Sequence, residues 1–129
     1  MITTLREKIK FLWKRRLFII RFNFDLSDGL ITLVSNKDRQ IGKTTYLVKQ
    51  CFKYDLGLIV GSAFEKRNLL QKYPELRVYT TEDIRRFPFT KHKEFLVDET
   101  VDLRFLNEYY LKKRSKIQIV GGILYTAKD

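Results

Sequence analysis

Four short apolar runs punctuate the chain: Leu30-Ile31-Thr32-Leu33-Val34, Leu56-Gly57-Leu58-Ile59-Val60, Glu94-Phe95-Leu96-Val97 and Lys116-Ile117-Gln118-Ile119-Val120. Their near-unbroken apolarity and β-branched content predict strands buried on both faces of a parallel sheet. Helical patterns lie between them. Leu47, Val48, Cys51 and Phe52 share one predicted helix face, and Ser62 with Glu65 forms a capping box that opens a helix through about Lys72. Thr81 begins a shorter helix through Arg86, and Thr100 is placed to cap a helix with the stripe Val101, Phe105, Leu106 and Tyr109. Strands alternating with helices and closing on a strand predict an α/β class, a doubly wound, mainly parallel sheet with flanking helices.

Residues 1–24 follow a different pattern. Leu5, Ile9, Leu12 or Trp13, and Arg16 with Leu17 fit an amphipathic helix, and the first 21 residues hold seven basic side chains against Glu7 alone. Three roles suit such a segment: a helix packed on the sheet edge with a solvated basic side, an arm that contacts nucleic acid, or a membrane-surface helix. No apolar run approaches the roughly 20 residues of a membrane span. Lys14, Arg15 and Arg16 stand where a secretion signal would need its apolar stretch, so the segment reads as part of the mature chain.

A length of 129 residues suits one domain, with residues 25–129 as its core, and neither a repeat nor a Pro/Gly/Ser-rich linker divides it. Pro74 and Pro88 fall in expected loops. Lys and Arg number 26 against 15 Asp and Glu, a net charge of +11 that calls for a polyanionic partner: nucleic acid, nucleotide or anionic membrane. The single cysteine, Cys51, permits no internal disulfide and is expected to be buried and inert, which suits a cytoplasmic protein.

The chemistry concentrates between the first strand and the next helix, in Ser35-Asn36-Lys37-Asp38-Arg39-Gln40-Ile41-Gly42-Lys43-Thr44-Thr45. A loop ending in Gly-Lys-Thr in that position is the context of a phosphate-binding P-loop. Gly42 lets the backbone approach phosphates, and successive N–H groups of Lys37, Asp38, Arg39, Gln40, Ile41 and Gly42 would form a concave anion site at the helix N-terminus. Lys43 would reach the β- and γ-phosphates, the Thr44 hydroxyl would complete Mg²⁺ coordination, and Thr45 would support the turn. The full pattern places its first Gly where this chain has Lys37. A second element follows as Phe95-Leu96-Val97-Asp98-Glu99, an apolar strand ending in two carboxylates. Asp98 would face the same crevice and bind Mg²⁺, and Glu99 would polarise the attacking water.

At these residues the chain resembles the additional-strand, catalytic-glutamate (RecA-like) class of P-loop NTPases, and within it the ATPase core of phage large terminases and helicase-like ATPases. The specific hint is Asp38-Arg39-Gln40-Ile41-Gly42-Lys43-Thr44-Thr45, and the resemblance spans roughly residues 30–125. It implies ATP and Mg²⁺ as cofactors, Arg39 as a cis arginine near the γ-phosphate, and Ser62 after Val60-Gly61 as a contact to a nucleic-acid backbone. Ile119-Val120-Gly121-Gly122 is similar to the strand-end motif that couples phosphate state to movement, without its usual hydroxyl. A single lobe of this kind implies an accessory ATPase acting with DNA rather than RNA in packaging, replication or helicase-like work. A homo-oligomer or protein partner would then supply an arginine finger, for which Arg104 and Arg114 are candidates. Lys14, Arg15, Arg16, Arg85 and Arg86 are further expected contacts to nucleic-acid phosphates, with Lys112 to Lys116 as another basic cluster. The alternative is a nucleotide-responsive or inactive binding protein that regulates a phage or host complex, and a small-molecule kinase comes third. Tyr109, Tyr110 and Tyr125 suit either base stacking or the core, and His92 among lysines suits the surface.

Overall fold

The computed structural model describes residues 5–29, 31–34, 43–86, 94–111 and 117–125. The four apolar runs become strands β1 (Ile31–Val34), β2 (Gly57–Val60), β4 (Glu94–Val97) and β5 (Gln118–Tyr125), and a fifth strand, β3 (Val78–Thr80), lies between the second and third of them in sequence. The helices are α1 (Leu5–Ser27), α2 (Lys43–Tyr54), α3 (Ala63–Lys72), α4 (Thr81–Arg86) and α5 (Leu103–Leu106), the last continuing as a π-helical turn over Asn107–Leu111. All strand pairs are parallel, and the sheet order is β1-β5-β4-β2-β3. The last strand in sequence therefore lies between the first and the fourth.

Parallel strands buried on both faces divide their side chains between two cores. Leu58, Val60, Val78, Leu96 and Ile123 point to one face, where Phe18 and Phe22 of α1, Leu47, Val48 and Cys51 of α2, and Leu69 of α3 cover them. Ile59, Phe95, Val97 and Ile119 point to the other, under Ile84 of α4 and Phe105 and Leu106 of α5. The result is a three-layer α/β fold with helices on both faces. β3 is absent from the sequence reading because its three residues alternate Val78, Tyr79, Thr80 with only a half-buried middle and lack a long apolar run.

Local chemistry sets the helix ends. The Glu65 N–H donates to the Ser62 hydroxyl at 3.4 Å, capping α3 as the pattern predicts. Thr80 and Asp83 cap α4 reciprocally: the Asp83 N–H donates to Thr80 Oγ1 at 2.9 Å and the Thr80 N–H donates to Asp83 Oδ2 at 3.0 Å. The Lys66 ammonium on α3 donates to the same carboxylate at 2.9 Å, tying the two helices. Asp102, rather than Thr100, caps α5, its carboxylate accepting from the Phe105 N–H at 2.8 Å. Two cap-forming residues stand two positions apart, and Thr100 is committed elsewhere.

Three other expectations change. α1 runs to Ser27, and it packs through Phe18 and Phe22, whose rings meet Tyr46 edge-on at 6.2 and 5.5 Å. The expected stripe residues Leu12, Trp13 and Leu17 face outward instead. Phe52 of α2 is also exposed, because Leu47, Val48 and Cys51 already fill the space over the sheet. Finally, β5 continues to Tyr125, so Gly121-Gly122 lies inside a strand and not at its end. Phe95 opposes Ile119 while Leu96 opposes Gly121, which leaves Val120 as the extra residue of a bulge.

α1 is fastened by polar contacts as well. The Thr32 hydroxyl of β1, wholly buried, donates to Asp25 Oδ2 at 2.8 Å, and the Tyr46 hydroxyl donates to Asn23 Oδ1 at 2.7 Å. The helix ends at Gly29, whose positive φ of 71° lets its N–H return to the Leu26 carbonyl at 3.1 Å.

Cys51 is 2% exposed, and burial pushes its thiol up to about 12. A thiol-specific reagent is therefore expected to modify the folded protein only as fast as the core opens, and to react at once in denaturant. Rapid modification without denaturant would mean that α2 does not seal this face.

Candidate functional site

The carboxyl ends of parallel strands leave a crevice where successive loops converge. Two of the expected elements meet there. Lys43 is the first residue of α2 and is only 6% exposed, although a lysine is seldom buried without a partner. Its ammonium lies 3.4 Å from Glu99 Oε2, just past the end of β4, and the glutamate side chain is 34% exposed. Residues 43 and 99, far apart in sequence, therefore form one ion pair at the sheet edge, with its cation buried and its anion open to the crevice.

Asp98 extends β4 by one more ladder bond, its N–H donating to the Ile59 carbonyl at 2.9 Å. Its side chain is buried, with Oδ2 accepting from the Thr100 hydroxyl at 3.0 Å and Oδ1 left without a hydrogen-bond partner. Burial pushes the Asp98 carboxyl above the usual carboxylate range; the Thr100 hydrogen bond opposes the rise and the neighbouring Glu99 charge adds to it. A carboxyl raised in this way favours folding at low pH. That contribution is lost as the pH rises from the unfolded value through the folded one, unless a cation compensates the charge.

Thr100 is the residue that the sequence reading assigned to the wrong task. Its hydroxyl donates to Asp98 and accepts from the Gly61 N–H at 2.9 Å, and so fastens the turn after β4 to the end of β2. The approach is close enough that a Cβ on Gly61 would stand 2.1 Å from the Thr100 carbonyl oxygen. An Asp-x-Thr spacing opposite a strand-end glycine was the available signal, and the helix-cap pattern masked it. Ser62, one residue beyond Gly61, is exposed and caps α3.

Other expected site residues distribute as follows. Thr44 is half-buried and Thr45 exposed in the first turn of α2. Lys37, Asp38, Arg39, Gln40, Ile41 and Gly42 lie outside the described residues, as do His92, Arg114 and the cluster from Lys112 to Lys116. Arg85 and Arg86 are exposed on α4; Arg86 pairs with Glu82 at 3.1 Å, and the Arg85 guanidinium sits 5.6 Å from the Phe105 ring centroid. Arg16 is exposed on α1, whereas Arg15 is half-buried with its Nε enclosed and unpartnered. Arg104 is 85% exposed and 3.9 Å from Glu108. Tyr109 and Tyr110 pack against the second core, and the Tyr110 hydroxyl donates to the Gly29 carbonyl at 2.9 Å.

Among the described residues no three His, Cys, Asp or Glu side chains converge as a metal cluster, and no helix is long and apolar enough to cross a membrane. Comparison with protein-family models, with curated proteins and with solved structures gives no match to this chain.

Proposed function

We propose that this protein binds ATP with Mg²⁺ at the carboxyl edge of the sheet, hydrolyses it, and does so in the service of nucleic acid. The observation that carries the reading is the pairing of buried Lys43, which opens the helix after β1, with Glu99 after β4. The sheet order supports it, since β5 stands between β1 and β4, the arrangement that gives the additional-strand class its name.

Lys43 holds a desolvated positive charge beside a helix N-terminus, both suited to a polyphosphate. A triphosphate arriving there competes with Glu99 for the ammonium and releases the carboxylate. Glu99 then accepts a proton from a water that attacks the γ-phosphorus; the new P–O bond forms as the bond to the β,γ-bridging oxygen breaks, leaving ADP and phosphate. The residues fit a magnesium ion: Asp98 has an unpartnered buried oxygen and a carboxyl that a cation would relieve, and Thr44 stands in the adjoining helical turn. When bound, Mg²⁺ would neutralise charge on the β- and γ-phosphates, and a site that shares it with phosphates and water needs few protein ligands. Thr100 keeps Asp98 oriented. Arg104, 85% exposed on α5, is a described guanidinium open to a neighbouring copy.

The nucleic-acid part rests on the +11 charge and on Ser62, Arg85 and Arg86 at the surface. Glu99→Gln is expected to keep ATP binding and to lower hydrolysis by roughly 10²- to 10⁴-fold. Steady-state phosphate release, measured with and without single- and double-stranded DNA and RNA, checks this together with polymer stimulation. Normal turnover by the variant would remove Glu99 from the mechanism.

A further inference from the structure

Opposite its buried face, α1 presents a second apolar face to solvent. Trp13, Leu17, Ile20 and Phe24 are 59%, 58%, 60% and 67% exposed. At about 100° per residue their spacing of i, i+4, i+7 and i+11 gathers them within an arc of about 60°. The stripe runs roughly 16 Å along the helix. Phe18 and Phe22, which anchor the helix to the sheet, lie on the other side. Large apolar side chains gathered on one surface seldom stay bare in water.

Charge decides what covers this face. Arg16 flanks the stripe on one side and Arg21 on the other, both exposed, and the helical positions of Lys10 and Lys14 fall on the Arg21 side. Asp25, farther along, is turned inward and accepts from Thr32. A second copy laid on the stripe would bring two basic rims together in a protein that already carries +11. Nucleic acid would satisfy the rims and leave the apolar stripe wet. An apolar stripe with Trp and Phe flanked by Arg16 on one side and by Arg21 with Lys positions on the other matches a helix lying in the headgroup region of an anionic bilayer.

We infer that the outward face of α1 docks on an anionic membrane surface, with Trp13, Leu17, Ile20 and Phe24 entering the acyl boundary and the basic rims meeting lipid phosphates. The helix lies on the bilayer and stays packed on the sheet through Phe18 and Phe22. The inference does not rest on the nucleotide site, since Trp13, Leu17, Ile20 and Phe24 are not among the residues assigned to it.

Trp13 is the only tryptophan, so its emission reports on this face alone. The experiment titrates the full chain with vesicles of phosphatidylglycerol and phosphatidylcholine, and with vesicles of phosphatidylcholine only. A blue shift and co-sedimentation with the anionic vesicles are expected, and neither with the neutral ones. Each basic residue at an anionic surface is worth roughly five-fold in partitioning, so Arg16→Gln is expected to weaken binding by about that factor. Leu17→Glu with Ile20→Glu, both at exposed positions, is expected to abolish the shift while melting like the parent. Four outcomes overturn the inference: no shift, an equal shift with neutral vesicles, a shift that follows protein concentration without lipid, or a shift with duplex DNA and not with vesicles. Retained binding by a folded Leu17→Glu, Ile20→Glu variant overturns it as well.

Discussion

Lys43→Ala is expected to weaken ATP binding steeply while leaving the fold intact. The ammonium is nearly buried and pairs, among the described residues, with Glu99, which keeps a third of its surface in water. Loss of the lysine therefore returns a half-exposed carboxylate to solvent and does not strand a charge in the core, so the unliganded protein should lose little stability. Binding is different. A charged donor to phosphate contributes about 1.5–3 kcal/mol per hydrogen bond, and losing it weakens affinity by on the order of 10- to 100-fold. Thermal unfolding with Mg²⁺ and ATP reads this directly. Ligand at about a hundred times its dissociation constant adds roughly 2.7 kcal/mol to the native state, and at the same concentration the variant should gain only about 0.4–1.4 kcal/mol. Glu99→Gln, in contrast, should retain the full gain. If Lys43→Ala gained the same stabilisation from nucleotide as the parent, the ammonium would have no part in holding phosphate, and the buried pair with Glu99 would be a structural contact only.

The residues of this pair were legible in the sequence because Glu99 stands just past an apolar run and Lys43 opens the helix that follows another, and a parallel sheet gathers such positions on one edge. Lys43 follows a strand and opens a helix; Asp98 and Glu99 follow Phe95-Leu96-Val97. What was not legible depended on three-dimensional competition. Thr100 and Asp102 both carry cap-forming side chains, and only the position of Gly61 on β2 decides that Thr100 turns back to Asp98. α1 offers two apolar faces of similar strength, so its periodicity does not say whether Phe18 and Phe22 or Trp13 and Leu17 meet the sheet. The choice falls to Tyr46 and Thr32, which receive Phe22, Asn23 and Asp25. β3 is too short to carry a period. Gly121 and Gly122 invited a reading as the end of a strand because glycine commonly stops one. Here the pair follows the bulge at Val120 and continues the strand, and that difference has a measurable cost attached.

Gly122→Ala is expected to be the most destabilising single change in the sheet. Gly122 has φ 143°, a conformation that a residue with a Cβ rarely adopts, and it pairs with both Ile31 of β1 and Val97 of β4. A Cβ there would stand 2.4 Å from the Val97 carbonyl oxygen and from Val97 Cγ2, and 2.7 Å from its amide nitrogen. Two penalties add: about 1–3 kcal/mol of backbone strain and about 1–3 kcal/mol of overpacking. For a chain of this size the sum lowers Tm by on the order of 10 °C. Gly29→Ala is the control, since Gly29 also has positive φ, 71°, yet nothing lies within 4 Å of a Cβ built on it. Strain alone applies there, and about 1 kcal/mol is expected. Equal melting temperatures for the two variants would mean that the contact with Val97 yields without cost. The consequence extends to the edge of the sheet, because β5 is the strand that spaces β1, with the helix start at Lys43 beyond it, from β4 and its Asp98 and Glu99. Relief of the clash at Val97 must move β4 away from β5. Any Gly122→Ala protein that still folds at low temperature is therefore expected to lose nucleotide affinity out of proportion to its lost stability, and Gly29→Ala is not.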